Sequence, residues 1–219
     1  MSALERVRAL LAEAPGLERA SDLAPVRLPV LEPFLDLLPD KGLRPGETVG
    51  ITGAGATSLA LALIARAAAE AWTAVAGLES LNLVAASELG VAIDRIVIVS
   101  DAGIGPLAAV VDAFDLVVAR PALGVREIRK LHARVRERDA VLVCVGQTSE
   151  TDLRLETTSA RWHGLDGGHG HLRARTLSVT ATGRGSGSRP KKATLWLPDE
   201  DGGVSIADDA SILPLRRTG

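Results

Sequence analysis

The sequence predicts an α/β fold, with a mostly parallel central sheet covered by helices and extended by C-terminal antiparallel strands. Three observations carry this. Between residues 48 and 146, short runs of β-branched and aliphatic residues alternate with helical patterns, the rhythm of parallel strands buried on both faces. After residue 150 the runs lengthen and are joined by turns rich in Gly and Ser, which suits antiparallel pairing. A chain of 219 residues, 47% of them hydrophobic, has enough apolar side chains for one substantial core.

The elements follow in order. Leu4, Val7, Leu10 and Leu11 share one helical face over residues 3–13. A proline-punctuated lead-in follows, with its apolar run at 30–38, so residues 1–40 read as an N-terminal helix and linker before a core spanning 41–198. Strand "TVGIT" (48–52) leads to a helix over 58–71, and "TAVAGL" (73–78) leads to helix "LNLVAASELG", closed by Gly90. "RIVIVS" (95–100) precedes a short helix near 106–113. "DLVVA" (115–119) precedes an amphipathic helix over 124–138, with Val125, Ile128, Leu131 and Val135 inward and its cations outward. "AVLVCVG" (140–146) closes this series. "DLRLETTSARWHG", "HLRARTLSVTATG" and "KKATLWLP" then read as antiparallel strands, and 199–219 as a loosely ordered tail in which "SILPL" is suited to dock on the body.

Composition excludes several classes. A net charge of −2 offers no global attraction to nucleic acid or anionic membrane. The single cysteine, Cys144, lies in an apolar run, where a buried inert thiol is expected and no disulfide framework exists. Glu5, Arg6 and Arg8 among the first leucines are unlike a signal peptide, and the most apolar window, 58–69, is interrupted by Arg66. A soluble cytoplasmic protein is expected. Two Phe, three Trp and no Tyr leave little for a base-stacking platform.

The stretch "GITGAGATS" (50–58) invites three readings. A phosphate loop of the Gly-x-x-x-x-Gly-Lys-Ser/Thr kind needs a lysine, yet counting from Gly50 puts Ala56 there, beside Gly55 and Thr57. No lysine occurs between Lys41 and Lys130. A lysine–phosphate contact near 4 Å is worth roughly 4 kcal/mol at an effective dielectric of 20, so triphosphate binding should be much weakened. The magnesium-holding acid is missing as well, because "DLVVARP" ends in Ala119-Arg120-Pro121 and its one carboxylate, Asp115, stands at the wrong end. NTP hydrolysis is therefore not expected. The second reading is a dinucleotide turn, Gly53-x-Gly55-x-x-Ser58, with Glu79 near the ribose position, an NAD(P)-linked enzyme. No hydride-transfer site follows it. The third is a tight turn whose Thr57 or Ser58 caps the helix, and it is favoured. No cofactor and no metal is expected.

Residues 161–192 carry Arg161, Arg173, Arg175, Arg184, Arg189, Lys191 and Lys192 against Asp166 alone, a net of +6, which leaves −8 for the rest of the chain. One reading is a hairpin edge contacting DNA phosphates or an acidic partner; the other is solvated turns. His163, His169 and His171 cluster here, but no nearby cysteine completes a tetrahedral ligand set. Trp162 and Trp196 are expected to pack in the core or hairpin more than to anchor a partner, and "GRGSGS" (183–188) has the composition of a mobile turn.

"LPDKGLRPGETVGITG" and "TAVAGLESLNLVAASELGVAIDRIVIVSDAG" are similar to the first strands and helices of RecA-type cores, with Glu79 close to the place of the RecA water-activating glutamate. More closely, residues 28–198 resemble the actinobacterial ImuA-prime-type RecA-like mutagenesis accessory proteins. The resemblance is carried by "GLRPGETVGITG", "TSLALAL", "AASELGVAIDRI", "DLVVARP", "LRLETTSARWHGLDGGHGHLRAR" and "ATLWLP". It implies a RecA-like core and a non-hydrolysing adaptor in DNA-damage-induced (SOS) mutagenesis and translesion synthesis. The implied partner is ImuB, a Y-family polymerase relative that binds the sliding clamp, with an error-prone C-family polymerase and RecA itself further out. No catalytic residue is carried over. The loop Gly53, Gly55, Ala56, Thr57 and Ser58 is then vestigial, and Arg161, Trp162, His163, His169, His171, Arg173, Arg175, Arg184, Arg189, Lys191 and Lys192 are the candidates for partner or DNA contact. By analogy with RecA, helix 3–13 and residues 26–38 are a candidate arm for self-association or for the partner. A cell-division inhibitor of the SulA type, on the same ATP-less core, is the remaining alternative.

Overall fold

The structure, a computed structural model, describes residues 27–79, 81–147, 149–166, 169–183 and 189–207. Helix 3–13, "SILPL" and Arg184 therefore lie outside the described residues. Nine strands form one sheet: β1 (Thr48–Gly53), β2 (Thr73–Ala76), β3 (Ile96–Val99), β4 (Leu116–Ala119), β5 (Val141–Val145), β6 (Leu153–Asp166), β7 (His169–Gly183), β8 (Lys191–Trp196) and β9 (Ser205–Ile206). Their order is β3-β2-β4-β5-β1-β6-β7-β8-β9. The first six are parallel and the rest antiparallel, which is the expected fold class.

Two features differ from the sequence reading. β6 is not simply antiparallel: it runs parallel to β1, with Val49 opposite Leu153 and Gly53 opposite Thr157, while pairing antiparallel with β7. A local device fixes that register, since Asp152 Oδ2 accepts from Thr48 N at 3.0 Å and from Thr48 Oγ1 at 2.6 Å. The start of the expected loose tail is ordered instead. Asp199 Oδ1 accepts from the Asp201 and Gly203 amides, and the turn delivers Ser205–Ile206 onto β8.

The helices are α1 (Ala56–Ala68), α2 (Leu83–Glu88), α3 (Ile104–Ala113) and α4 (Val125–Glu137). α1 is nearly all Ala, Leu and Ile because it is buried on most sides, under one face of the sheet. The lead-in closes over the same core: Val30, Phe34, Leu37 and Leu38, within the arm expected at 26–38, and Leu43 beyond it are buried there. α3 and α4 cover the opposite face with a second cluster. On α4, Ile128, Leu131 and Val135 point inward as expected, but Val125 is 56% exposed. Buried His132 takes the fourth inward place, its Nδ1 lying 3.1 Å from the Glu150 carbonyl. Asp112 of α3 clamps α4 by accepting from Arg134 Nε at 2.7 Å and Arg138 Nε at 2.9 Å. Among the described residues, no helix is long and apolar enough to cross a membrane.

Candidate functional site

In open α/β sheets, ligands gather at the carboxyl ends of the strands. Here that rim holds the turn from β1 to α1. β1 ends at Gly53 with φ +92°, and α1 begins after Gly55 with φ +75°. Both glycines answer to neighbours more than to a phosphate. A side chain on Gly53 would strike the Thr157 backbone of β6, and one on Gly55 would begin 2.9–3.1 Å from the Arg175 guanidinium. The expected cap is corrected: the N-cap is Gly55 itself, and neither Thr57 nor Ser58 caps the helix, so among the described residues the N-cap of α1 supplies no side-chain acceptor.

The expected lack of a cation at this turn is also corrected, because tertiary structure supplies two. Arg175 reaches in from β7, anchored by Nε donating to the Leu197 carbonyl at 2.7 Å and stacked over Trp162 with Cζ 4.9 Å from the ring centroid. Burial pushes its guanidinium below the ordinary arginine range. Arg120, the residue following β4, places Nη2 3.5 Å from Thr57 Oγ1. Among the described residues, neither arginine belongs to an ion pair. Beside them, Thr157 is 8% exposed and its buried Oγ1 has no hydrogen-bond partner among the described residues. Ala56 stands in the lysine place of a phosphate loop, and Glu79 is exposed beyond β2.

β6 and β7 form a long hairpin. β1 covers β6 only through Thr157 and β8 covers β7 only from Thr176 onward, so the distal half projects past the sheet as a ribbon. Trp162 is 47% exposed here, outside the core but packed against Arg175 of the same hairpin, with Leu165 at 58% and Leu172 at 51%. Arg161, His171 and Arg173 are exposed on the same ribbon. His163 is engaged internally: Nε2 lies 3.0 Å from Thr176 Oγ1, and its ring meets Trp196 edge-on at 4.7 Å. Burial, then the nearby Arg161, holds its pKa below the ordinary histidine value. His169 opens β7, opposite Asp166.

The basic stretch is not one patch. Lys191 and Lys192 pair with Ala181 and Thr180, so Lys191 lies six residues along β7 from Arg175, roughly 20 Å at about 3.4 Å per residue. Lys191 Nζ donates to the Leu38 carbonyl at 3.0 Å, binding the lead-in to β8. Arg189 and Lys192 are exposed at this far end. The structure thus unites Gly55, Thr57, Trp162 and Arg175 and separates them from the lysines. It adds Arg120, whose one sequence signal was its place at the carboxyl end of a strand, and Thr157, which stands within β6 opposite Gly53.

Comparison with known proteins agrees with this architecture. The KaiC-like protein PH0186 of Pyrococcus horikoshii OT3 superposes with a TM-score of 0.57 at 15% identity, over 84% of this chain and 100% of that one, which shows the fold to be RecA-like. The uncharacterized protein Rv3395c of Mycobacterium tuberculosis (strain ATCC 25618 / H37Rv) is 32% identical over 171 residues, 75% of this chain and 72% of that protein. Residues 36–150 match the family described as the MT3502 N-terminal domain, and the chain belongs to that family.

Proposed function

We propose that this chain is a RecA-fold adaptor that does not hydrolyse nucleotide and that acts in DNA-damage-induced mutagenesis and translesion synthesis. It binds an ImuB-type polymerase relative, and through it meets the sliding clamp and an error-prone C-family polymerase, in the cytoplasm and on the nucleoid after damage. One observation carries the non-hydrolytic half. At the carboxyl ends of β1 and β4, where phosphoryl transfer needs a lysine and a magnesium-holding acid, the residues are Ala56 and Arg120. The second half draws on the ImuA-prime-type resemblance and on the projecting hairpin, whose Trp162, Leu165 and Leu172 expose more apolar surface than an isolated solvated turn needs. An NAD(P)-linked enzyme has less behind it, since β6–β9 stand where a second mononucleotide half would be.

Affinity capture of the tagged chain from damage-treated cells tests the reading. Recovery of the polymerase relative together with the C-family polymerase is expected, and Leu165→Asp with Leu172→Asp should reduce it at least tenfold. Recovery of division proteins in their place would favour the SulA-type alternative and overturn the assignment.

A further inference from the structure

The projecting hairpin carries a strand edge that the sheet leaves open. β1 ends opposite Thr157, and along that side of β6 no strand among the described residues pairs with 159–163. These residues keep unbroken antiparallel register with 174–178 of β7, between register shifts at Thr157/Ser159 and His163/Leu165. Alternate amides and carbonyls of such an edge point outward and take a partner strand when one is offered. Edges are often blunted by lysine or proline; this one has neither, and Ala160, Arg161 and Trp162 are exposed on it. The outer edge of β7 is closed at Arg175, whose amide donates to the Pro198 carbonyl and whose carbonyl accepts from the Leu197 amide. Register also sets what stands on each face. Ala160 lies opposite Leu177, which is buried in the cluster under α1, and Trp162 lies opposite Arg175, so both share that face. Ser159, Arg161 and His163 share the other, where Ser159 Oγ donates to Ser178 Oγ at 2.9 Å. Arg161 and Arg173 are exposed on the ribbon, and among the described residues neither belongs to an ion pair. A strand laid along this edge would meet apolar side chains on one face and an unpaired guanidinium on the other.

We propose that the 159–163 edge of β6 is a strand-addition site, and that its occupant is an extended segment of a partner protein in which acidic and apolar residues alternate. Main-chain hydrogen bonds to the edge supply affinity, and the alternation supplies specificity. The apolar residues of the segment stand beside Ala160 and Trp162, and its acids stand beside Arg161. A nucleic acid would use Arg161 but leave the outward amides and carbonyls of the edge unpaired. This mode of binding rests on the hairpin being the partner element proposed above, and adds how a partner is held there.

The test is fluorescence anisotropy of a fluorescein-labelled peptide alternating Glu and Val, titrated with the full chain. Saturable binding is expected, at least about tenfold tighter than for a peptide of the same composition with its acids in one block. Arg161→Glu and Trp162→Ser should each weaken it about tenfold, and Lys192→Glu, exposed on β8 at the far end of the basic stretch, should leave it unchanged. The exposed Arg161 side chain is in no ion pair among the described residues, so its variant keeps the test valid should Trp162→Ser fail to fold. Because alternate amides of a strand face the same edge, methylating the nitrogens of the valines or of the glutamates should abolish binding in one case only. Equal binding of the block peptide, the same outcome for both methylations, or indifference to Arg161→Glu would overturn the proposal. So would binding of a labelled single-stranded oligonucleotide in the peptide's place, or dimerisation of the free chain that Arg161→Glu abolishes. Capture of the polymerase relative without binding of the alternating peptide would sink this mode and leave the adaptor reading. Peptide binding without that capture would leave the edge site standing and remove the named partner.

Discussion

Replacing Gly53 by alanine separates two costs that glycine avoids at the β1–α1 turn. The first is conformational: an L-residue at φ +92° carries a penalty of about 1–2 kcal/mol, offset by about 0.4–1 kcal/mol because alanine has fewer unfolded conformations to lose. The second is steric and specific to this site. The new Cβ would be driven into the Thr157 carbonyl and backbone, which cannot yield without parting the end of β1 from β6. Losing one or two ladder hydrogen bonds at about 1 kcal/mol each brings the total to about 2–3 kcal/mol. Gly146 is the control: its φ of +81° is similar, and nothing lies within 4 Å of an added Cβ, so Gly146→Ala should lose only about 1 kcal/mol. Urea unfolding gives both numbers. Thermal midpoints should fall by about 4–12 °C and about 2–4 °C respectively, for a chain of this size. Equal losses in the two variants would refute the close approach of β6 to the loop and, with it, the placement of Thr157 and Arg175.

Three further outcomes follow from the packing. Burial pushes the Cys144 thiol up to about 12, so DTNB should leave it untouched at pH 8 in the native protein and titrate one thiol after unfolding; rapid native labelling would contradict its burial in β5. Desolvation raises the Glu47 carboxyl above its ordinary value of 4.5, against the lowering effect of its hydrogen bond from the Arg44 amide. The folded state therefore binds the proton more tightly, and this contribution is complete below pH 4.5 and lost as pH rises through the folded pKa. Relative to wild type, Glu47→Gln should gain stability across that rise, and a flat difference between pH 4 and 7 would contradict it. The Asp112 carboxyl is held below 3.8, first by the hydrogen bond from Arg134. Asp112→Asn should thus cost under about 1 kcal/mol above pH 5, given the partly exposed partners, and the gap should close as pH falls towards 3.

What the sequence disclosed was whatever depends on neighbours along the chain. The strands β1 to β5 and helix α4 announce themselves by period and by β-branched content, so each fell within a few residues of its expected place. The double role of β6 was hidden, because pairing parallel to β1 depends on contacts such as Asp152 with Thr48, 104 residues apart. The half-exposure of Trp162 was hidden for a related reason: it follows from how far the hairpin outruns β1 and β8, a length that composition does not encode. The glycine turn was visible as a motif, and the missing lysine was correctly seen as an absence in the local stretch. The presence of Arg120 and Arg175 beside the turn was not visible, since those residues reach it from the end of β4 and from β7. In the sequence Arg120 marks only an absent acid; the fold brings its guanidinium to the turn.

The measurement that bears most directly on the account is phosphate release by the purified full chain incubated with ATP and magnesium, alone and with single-stranded DNA. The account predicts a rate indistinguishable from buffer in both cases, and no change on Thr57→Ala. Sustained turnover abolished by Thr57→Ala would show that the turn works as a phosphoryl-transfer loop, and the adaptor reading would fall with it.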